Sequence, residues 1–218
     1  DLAFGEFFFK GFMHHSNETF FKNIKLLESS SYLIFRNNKK FFNKYWKIKP
    51  NQEIKLSYEE NKKKLKDLFK TSIKQHMISD VEIGSFLSGG NDSSTISIYA
   101  KKIQKKLKTF TYDFESYVNF EDSESKLAEN FAKKNSLKNY SSILSFEDVK
   151  DNINEVIKIV ETPITSIRLI AFYNLYKLAK QKKIKVILEG LGGDELLGGY
   201  KYNWLPGIID NNKNLNSK

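Results

Sequence analysis

The chain has 218 residues, a formal net charge of +10 and no cysteine. The missing cysteine excludes a disulfide framework, a thiolate metal site and a cysteine nucleophile within this chain. No apolar run approaches the ~20 residues that a membrane-spanning helix needs, so we expect a globular, cytoplasmic protein. Because the first residue is Asp1 and not Met, we also expect a piece of a longer protein.

A β-hairpin is predicted near the amino terminus. Tyr32–Phe35 has the composition of a strand, Asn37 and Asn38 suit a tight turn, and Phe41–Trp46 suits the partner strand. We therefore predict that residues 1–50 are either an edge piece or the tail of a preceding, N-terminal domain, and that residues 51–218 form a second domain.

The second domain is predicted to begin with a helix over residues 58–78. Ser57 and Glu60 have the spacing of a capping box, and apolar residues follow at helical intervals. Strands and helices then alternate: strands at Val81–Leu87, Thr109–Phe114, Asn139–Leu144 and, short and buried, Ile184–Leu188, with helices at Ser94–Leu107, Asp122–Asn135 (capped by Asp122), from Ser145 towards Val160, and at Ile167–Lys182. This alternation predicts a parallel α/β sheet, whose ligands bind beyond the carboxyl ends of the strands.

The loop after the first of these parallel strands reads S-G-G-N-D-S-S, from Ser88 to Ser94. Paired glycines, a following helix start and three serines are typical of a phosphate cradle. The lysine of the usual P-loop is absent. Asp92 would repel phosphate unless a divalent cation lies between them. The alternative is an ordinary glycine-rich turn with Asp92 as a helix cap.

The loop after the last strand is richer still in glycine. Residues 189–200 contain five of the eleven glycines of the chain, which indicates close backbone approach to a ligand or another strand. Asp194 follows a Gly-Gly pair, as Asp92 does. Two carboxylates at neighbouring strand ends could share one Mg²⁺ that bridges a polyphosphate.

These two loops carry a resemblance. The S-G-G-N-D-S-S loop resembles the signature of the PP-loop ATP pyrophosphatases, which have a Rossmann-like adenine-nucleotide α-hydrolase fold. Together with G-x-G-G-D-E-L-L-G-G-Y, from Gly190 to Tyr200, it resembles the synthetase domain of the glutamine-dependent (class B) asparagine synthetases. The resemblance runs nearly the full chain, and the hairpin is similar to the end of that family's N-terminal domain.

The resemblance implies a chemistry. In this family ATP is cleaved between its α- and β-phosphates, the substrate carboxylate (aspartate) becomes an acyl-adenylate, and ammonia from a glutaminase domain displaces AMP. The residues implied in binding ATP are Leu87, Ser88, Gly89, Gly90, Asp92, Ser93, Ser94, Tyr112, Gly190, Asp194 and Glu195, with Asp92 and Asp194 as Mg²⁺ ligands. The glutaminase domain and the family's catalytic lysine would lie outside this chain, which would be incomplete at its carboxyl end. A homodimer is compatible with the resemblance.

One arginine stands out because lysine dominates the basic residues. Of 36 basic residues only Arg36 and Arg168 are arginines. A planar guanidinium can grip a carboxylate or phosphate with two hydrogen bonds, which lysine cannot do. The family has a similar T-x-x-R segment that contacts the substrate or intermediate, so Thr165 and Arg168 are assigned that role.

The second loop departs from the family pattern. The usual sequence is S-G-E-G-x-D-E, whereas Glu189 and Leu191 occupy its first and third positions here. Leucine cannot accept the proton that the family's glutamate is thought to handle. An acceptor other than aspartate, such as a sugar carboxylate, is therefore an alternative.

Two alternatives belong to other classes of function. One is a PP-loop enzyme that modifies tRNA, which the net positive charge favours and the missing cysteines disfavour. We interpret the charge as a solvated lysine-rich surface, because arginines are scarce and interleaved exposed aromatic residues are missing, and we expect no nucleic-acid partner. The other is a non-catalytic nucleotide-binding protein.

Overall fold

The computed structural model describes residues 2–11, 17–47, 49, 55–116 and 119–200. Its elements in chain order are α1 (Leu2–Lys10), β1 (Ser31–Arg36), β2 (Lys39–Lys44), α2 (Tyr58–His76), β3 (Ile83–Phe86), α3 (Asn91–Ile103), β4 (Lys108–Phe114), α4 (Glu124–Lys134), β5 (Lys138–Leu144), α5 (Phe146–Val160), α6 (Arg168–Gln181), β6 (Val186–Leu188) and α7 (Gly193–Leu197). The predicted domain boundary at residue 50 falls outside the described residues. No helix in the described part of the chain has the length and apolar character needed to cross a membrane.

The predicted hairpin is confirmed. β1 and β2 pair in antiparallel register from Ser31 opposite Lys44 to Arg36 opposite Lys39. Asn37 and Asn38 both have positive φ, at 50° and 57°, which is the backbone of the two-residue turn that matches the twist of a hairpin. Helix α1, which the sequence pattern did not predict, precedes this hairpin.

The predicted parallel sheet is confirmed, with strand order β5-β4-β3-β6. Three strand pairs are parallel, and helices connect the strands. From β3 the chain passes to β4 on one side, and it returns much later to place β6 on the other side. β3 is therefore the strand at which the order reverses, and in sheets of this kind the ligand crevice lies outside the carboxyl end of that strand.

The helix starts follow local side-chain chemistry, with one correction. The capping box at Ser57 and Glu60 is present, and Ser145 caps α5. The predicted cap of α4 by Asp122 is wrong. Helix α4 starts at Glu124, so the cap position belongs to Ser123, whose side chain accepts a hydrogen bond from the Lys126 N–H.

Two strands are shorter than predicted, and one is less buried. β3 covers Ile83–Phe86 and β6 covers Val186–Leu188. The prediction that the last strand is buried is wrong, because β6 has one neighbour, β3, in the described sheet and Val186 is 38% exposed. α3 begins at Asn91, three residues before the predicted start, and this places Asp92 in its first turn.

Close packing fixes β3 and the helices around it. The Ser85 and Ser97 hydroxyls form a buried hydrogen bond of 3.0 Å that holds α3 against β3. A Cβ atom at Gly84 would lie 2.8 Å from the Phe110 ring, so glycine lets β4 pack this tightly. On the side of the sheet opposite α3, Phe110 and Leu175 pack together and hold α6 against the sheet. These contacts fix the positions of β3, β4, α3 and α6 relative to one another.

Candidate functional site

A cavity of about 670 Å³ opens at the carboxyl ends of β3, β4 and β6. It is the crevice expected at the strand where the order reverses. Its walls come from the loop after β3, the end of β4, the starts of α4 and α6, and the loop after β6. The lining residues used below are Leu87, Ser88, Gly90, Asn91, Asp92, Ser93, Phe110, Thr111, Tyr112, Glu124, Arg168, Phe172, Glu189, Gly190, Leu191, Gly193, Asp194, Glu195, Gly199 and Tyr200.

The first loop is closed by its own serines. The Ser88 N–H donates to the Ser93 hydroxyl at 3.1 Å, and the two hydroxyls lie 2.9 Å apart. The Gly90 N–H donates to the Ser88 hydroxyl at 3.3 Å. This network holds the loop in a compact turn at the start of α3, with hydroxyl and N–H donors beside the cavity.

Gly89 and Ser94 lie in the same segment but do not line the cavity. Gly89 has φ of +80°, and a Cβ atom there would lie 2.7 Å from the Leu127 Cβ and 3.0 Å from the Ala128 nitrogen. The loop therefore rests directly on the backbone of α4. Ser94 is 8% exposed, and its hydroxyl has no hydrogen-bond partner among the described residues.

The second loop touches the first through its glycines. A Cβ atom at Gly193 would lie 2.6 Å from Asp92 Oδ2, and one at Gly190 would lie 3.3 Å from the Asp92 Cβ. A Cβ atom at Gly199 would overlap Asp194 Oδ1. Glycine is thus required where the two loops meet and where the chain folds back over Asp194.

The second loop also contains a short ordered element. Gly193–Leu197 forms the five-residue helix α7, which is flanked by Gly192 and Gly198, both in the left-handed conformation. The Tyr200 hydroxyl donates to Glu195 Oε1 at 3.0 Å and so orients that carboxylate across the turn.

The floor of the cavity combines an aromatic ring with backbone groups that are already hydrogen-bonded within the protein. The Leu87 N–H donates to the Phe110 carbonyl, and the Leu87 carbonyl accepts from the Thr111 hydroxyl. Tyr112 is half-buried, and its ring lies 5.1 Å from that of Phe172, edge to face. Burial raises the pKa of Tyr112, so its hydroxyl stays protonated and able to donate.

The two residues of the T-x-x-R segment occupy different positions. Arg168 is the first residue of α6 and lines the cavity, and its backbone N–H donates to the Ser166 hydroxyl at 3.2 Å. Thr165 is exposed and does not line the cavity.

The cavity is acidic although the chain as a whole is basic. Its lining holds five carboxylates, from Asp92, Glu124, Glu189, Asp194 and Glu195, and the guanidinium of Arg168. Burial raises the pKa of Glu189 and of Glu124. Among the described residues, no three His, Cys, Asp or Glu side chains cluster as a metal site.

Some cavity residues were not predicted from the sequence. Glu124 and Phe172 are the two that shape its chemistry most. Phe172 lies one helical turn after Arg168 on α6, and that i, i+4 spacing was the available signal. Glu124 is the first residue of the helix that follows β4, and it could have been found only by asking which side chains start a helix at a strand end.

Comparison with known proteins identifies the family. Residues 64–215 match the asparagine synthase family. The chain belongs to the asparagine synthase family.

Individual relatives agree with this assignment. Asparagine synthetase [glutamine-hydrolyzing] 1 of Bacillus subtilis is 36% identical over 162 residues, which are 74% of this chain and 24% of that protein. Asparagine synthetase [glutamine-hydrolyzing] 2 of the same organism is 31% identical over 209 residues, 88% of this chain and 27% of that protein. Asparagine synthetase B of Escherichia coli is 32% identical over 153 residues, 65% of this chain and 28% of that protein. The chain therefore spans about a quarter of the length of these relatives.

Among solved structures, the chain is similar to the NH3-dependent NAD synthetase from Campylobacter jejuni. The identity is 19% and the TM-score is 0.39, with 66% of this chain and 61% of that chain covered.

Proposed function

We propose that this asparagine synthase family chain carries the ATP-binding, carboxylate-activating part of an ATP-dependent amide ligase. Such an enzyme forms an acyl-adenylate and pyrophosphate, and ammonia then displaces AMP. The observation that carries the proposal is that two loops from adjacent parallel strands, each with an aspartate shortly after a Gly-Gly pair, line one cavity and touch each other there.

The first loop suits the pyrophosphate part of ATP. Expulsion of pyrophosphate requires donors aimed at its oxygens. We assign this role to Ser88, Gly90 and Ser93, which line the cavity with hydroxyl and N–H groups. In the proposal Gly89 and Ser94 support the loop from behind, Gly89 through its contact with α4.

The adenosine part is assigned to the floor of the cavity. Leu87, Tyr112 and Gly190 would lie beside it, with the Tyr112 ring as an apolar wall. The Tyr112 ring is fixed by its edge-to-face contact with Phe172, so the wall is already formed without a ligand.

The charge of the lining fits Mg²⁺. A polyphosphate beside five carboxylates and one guanidinium needs divalent cations between the anions, and carboxylate oxygens are the ligands that Mg²⁺ prefers. We propose Asp92 and Asp194 as those ligands, with Glu195 nearby. When bound, Mg²⁺ neutralises charge on the phosphates.

The acceptor carboxylate is assigned to Arg168. Its guanidinium lines the cavity next to the proposed nucleotide, where it would orient the carboxylate for attack on the α-phosphorus. Thr165 begins the turn that leads into α6, and we propose that it acts in the same T-x-x-R segment. The ammonia would come from a glutaminase domain of the full-length protein.

The test is isotope exchange between pyrophosphate and ATP in the full-length protein with candidate acids. We expect exchange that depends on one acid and on Mg²⁺, and a loss of at least about 100-fold in Asp92→Asn, the range for removing a charge-stabilising group. The control is Asp151→Asn, an exposed aspartate on α5. The proposal is refuted if no acid supports exchange in protein that circular dichroism shows to be folded.

A second candidate keeps the adenylation step and changes the acceptor. Leu191, at the position of the family's usual glutamate, lines the cavity and is 77% exposed. Because its side chain is apolar, Leu191 supplies no proton acceptor for the ammonia step. A sugar carboxylate or another acid would then be the substrate, and efficient formation of asparagine from aspartate rules this out.

A further inference from the structure

The positive charge of the chain is concentrated at the edge of the sheet opposite the cavity. The four strands of the sheet are parallel, so all of them begin at one edge, and the cavity lies at the other. The segments that lead into the strands contain twelve lysines and two carboxylates, which together give a net charge of +10. We call these segments the basic edge, and they are residues 78–82, 101–108, 133–138 and 180–185.

This concentration equals the net charge of the whole chain. The chain has 36 basic and 26 acidic residues, so the remainder holds 24 of each and is formally neutral. A general enrichment in lysine would spread the excess over the whole surface, and the sequence alone favoured that interpretation. The fold instead gathers the excess at one edge, whereas the cavity at the other edge is lined by five carboxylates and one guanidinium.

Local structure explains part of the basic edge. Five of its lysines lie in the last turns of α3, α4 and α6, where a positive charge complements the helix dipole. The other seven come after those turns, where the effect of the dipole falls off. Within the described part of the chain, two of the twelve lysines form ion pairs, Lys108 with Glu82 at 2.9 Å and Lys133 with Glu129 at 2.8 Å. The other ten have no carboxylate partner among the described residues.

The lysines of the basic edge also lie close to one another. Lys108 and Lys138 are directly opposite in the pairing of β4 with β5, and like charges in opposite positions destabilise a sheet. The ammonium groups of Lys138 and Lys182 lie 5.5 Å and 4.8 Å from the centroid of the same ring, that of Tyr140. The Lys108 ammonium donates to the Lys182 carbonyl at 3.2 Å. These groups repel one another in the free protein, and an anionic surface would offset that repulsion.

The composition of the basic edge distinguishes between kinds of anionic partner. Its four segments contain no arginine and no aromatic residue, which are the side chains that grip phosphates with paired hydrogen bonds and stack on the bases of RNA. Exposed aliphatic side chains lie among the lysines instead: Ile78 is 82% exposed, Val81 40% and Ile103 47%. Lysines interspersed with aliphatic side chains suit a lipid surface, because the head groups attract ammonium groups and the acyl boundary accepts apolar ones.

We propose that the basic edge is a docking surface for anionic lipid. Nine of its twelve lysines are exposed, and the four strand starts alone extend over about 14 Å. Strand β4 has seven residues, so the cavity lies about 20 Å from the basic edge along the strand. A molecule bound through the basic edge therefore turns the cavity and its carboxylates away from the lipid. No residue of the basic edge lines the cavity, so the inference does not rest on the proposed reaction.

The test is co-sedimentation of the full-length protein with vesicles of phosphatidylcholine, either alone or with about 30% phosphatidylglycerol, at about 100 mM NaCl. We expect the protein to bind the anionic vesicles at least about 10-fold more tightly than the neutral ones. This difference should disappear at about 1 M NaCl, where charges are screened within about 3 Å. Each protein is also centrifuged without vesicles, so that aggregated protein can be subtracted.

The decisive variant removes four exposed lysines of the basic edge: Lys105→Gln, Lys106→Gln, Lys183→Gln and Lys185→Gln. An anionic surface contributes about 5-fold in affinity for each lysine near it, so we expect this variant to bind anionic vesicles at least about 100-fold more weakly. The matched control removes four exposed lysines from the first half of α2: Lys62→Gln, Lys63→Gln, Lys64→Gln and Lys66→Gln. It loses the same charge away from the basic edge, and its binding should stay within about 3-fold of wild type.

Hydrogen exchange with anionic vesicles present tests the orientation. We expect slower exchange in peptides that cover residues 101–108 and 180–185, and no change in peptides that cover residues 189–200 beside the cavity. Three outcomes overturn the inference: equal binding to both kinds of vesicle, an equal loss of binding in the α2 control, or slower exchange at residues 189–200 alone. Tighter binding to poly(U) than to anionic vesicles at the same salt concentration, lost in the basic-edge variant, would also overturn it and assign this surface to RNA.

Discussion

Replacing Gly89 with alanine tests how the first loop is supported. The Gly89 backbone has φ of +80°, which an L side chain rarely adopts, and a Cβ atom there meets the Leu127 Cβ at 2.7 Å and the Ala128 nitrogen at 3.0 Å. Because the contacts include α4 backbone, they cannot be relieved by a side-chain rotation. The variant must move either the loop or the helix.

The magnitude follows from two separate costs. The left-handed backbone costs about 1–2 kcal/mol for a residue with a Cβ atom, and insertion of a methyl group into a packed contact costs about 1–3 kcal/mol. We therefore expect Gly89→Ala to lower the local stability by about 2–5 kcal/mol. Gly192 has φ of +91° with open space around its Cβ position, so Gly192→Ala should lose about 1–2 kcal/mol. Gly90 has neither positive φ nor a contact under 3.3 Å, so Gly90→Ala should lose least.

Hydrogen exchange by mass spectrometry measures this cost locally. Peptides that cover β3, the first loop and α4 report the free energy of opening of this region, whatever other domains the full-length protein contains. We expect the acceleration of exchange in these peptides to be largest for Gly89→Ala, smaller for Gly192→Ala and smallest for Gly90→Ala. If Gly89→Ala and Gly192→Ala are equal in these peptides, the contact with α4 has no energetic weight and the reasoning is wrong.

Three further predictions concern single side chains. Ser93→Ala removes two hydrogen bonds to Ser88 and should lower pyrophosphate exchange about 10-fold, whereas Thr95→Ala, whose hydroxyl donates to a carbonyl of its own helix, should leave the rate within about 2-fold. Gly193→Ala pushes against Asp92 Oδ2 and should raise the Mg²⁺ concentration needed for half-maximal exchange without altering hydrogen exchange in β3. Asp113→Ala leaves the Ser125 N–H and hydroxyl and the Phe114 N–H without their acceptor and should cost about 2–5 kcal/mol at pH 7 by denaturant unfolding. The pKa of Asp113 is lowered in the folded protein, so its contribution to the free energy of unfolding is complete above the ordinary pKa of 3.8 and is lost as pH falls through the folded pKa. The stabilities of wild type and variant should therefore converge in acid. A difference in stability that stays constant down to pH 2 contradicts this.

Features fixed by neighbouring residues could be predicted from the sequence. The hairpin turn, the capping box at Ser57 and the alternation of strands and helices each depend on residues close together in the chain. Asp122 shows the limit of such reasoning, because two adjacent residues were both suitable caps and only the position of Glu124 in the fold decided for Ser123. The exposure of Val186 depends on β6 having β3 as its one neighbour in the described part of the sheet, which no local pattern records.

The candidate site divides in the same way. The glycine-rich composition of the two loops was enough to predict that Ser88, Asp92 and Asp194 belong to the site, and all three line the cavity. The partial burial of Glu124 could not be predicted, because it depends on what β4 and α6 place around it. Gly89 was predicted as a cradle residue, and its packing against α4 depends on a contact made between segments far apart in the chain.

The pairing of β3 with β6 has a consequence for synthesis on the ribosome. Ser85 lies opposite Leu188, roughly a hundred residues later in the chain, whereas β3, β4 and β5 follow one another closely. The nascent chain can form this three-stranded core first, and it can bring Asp194 to Asp92 only after the final strand has emerged. In a partly translated chain the cavity is therefore incomplete, because the loop after β6 that forms one of its walls has not yet been made.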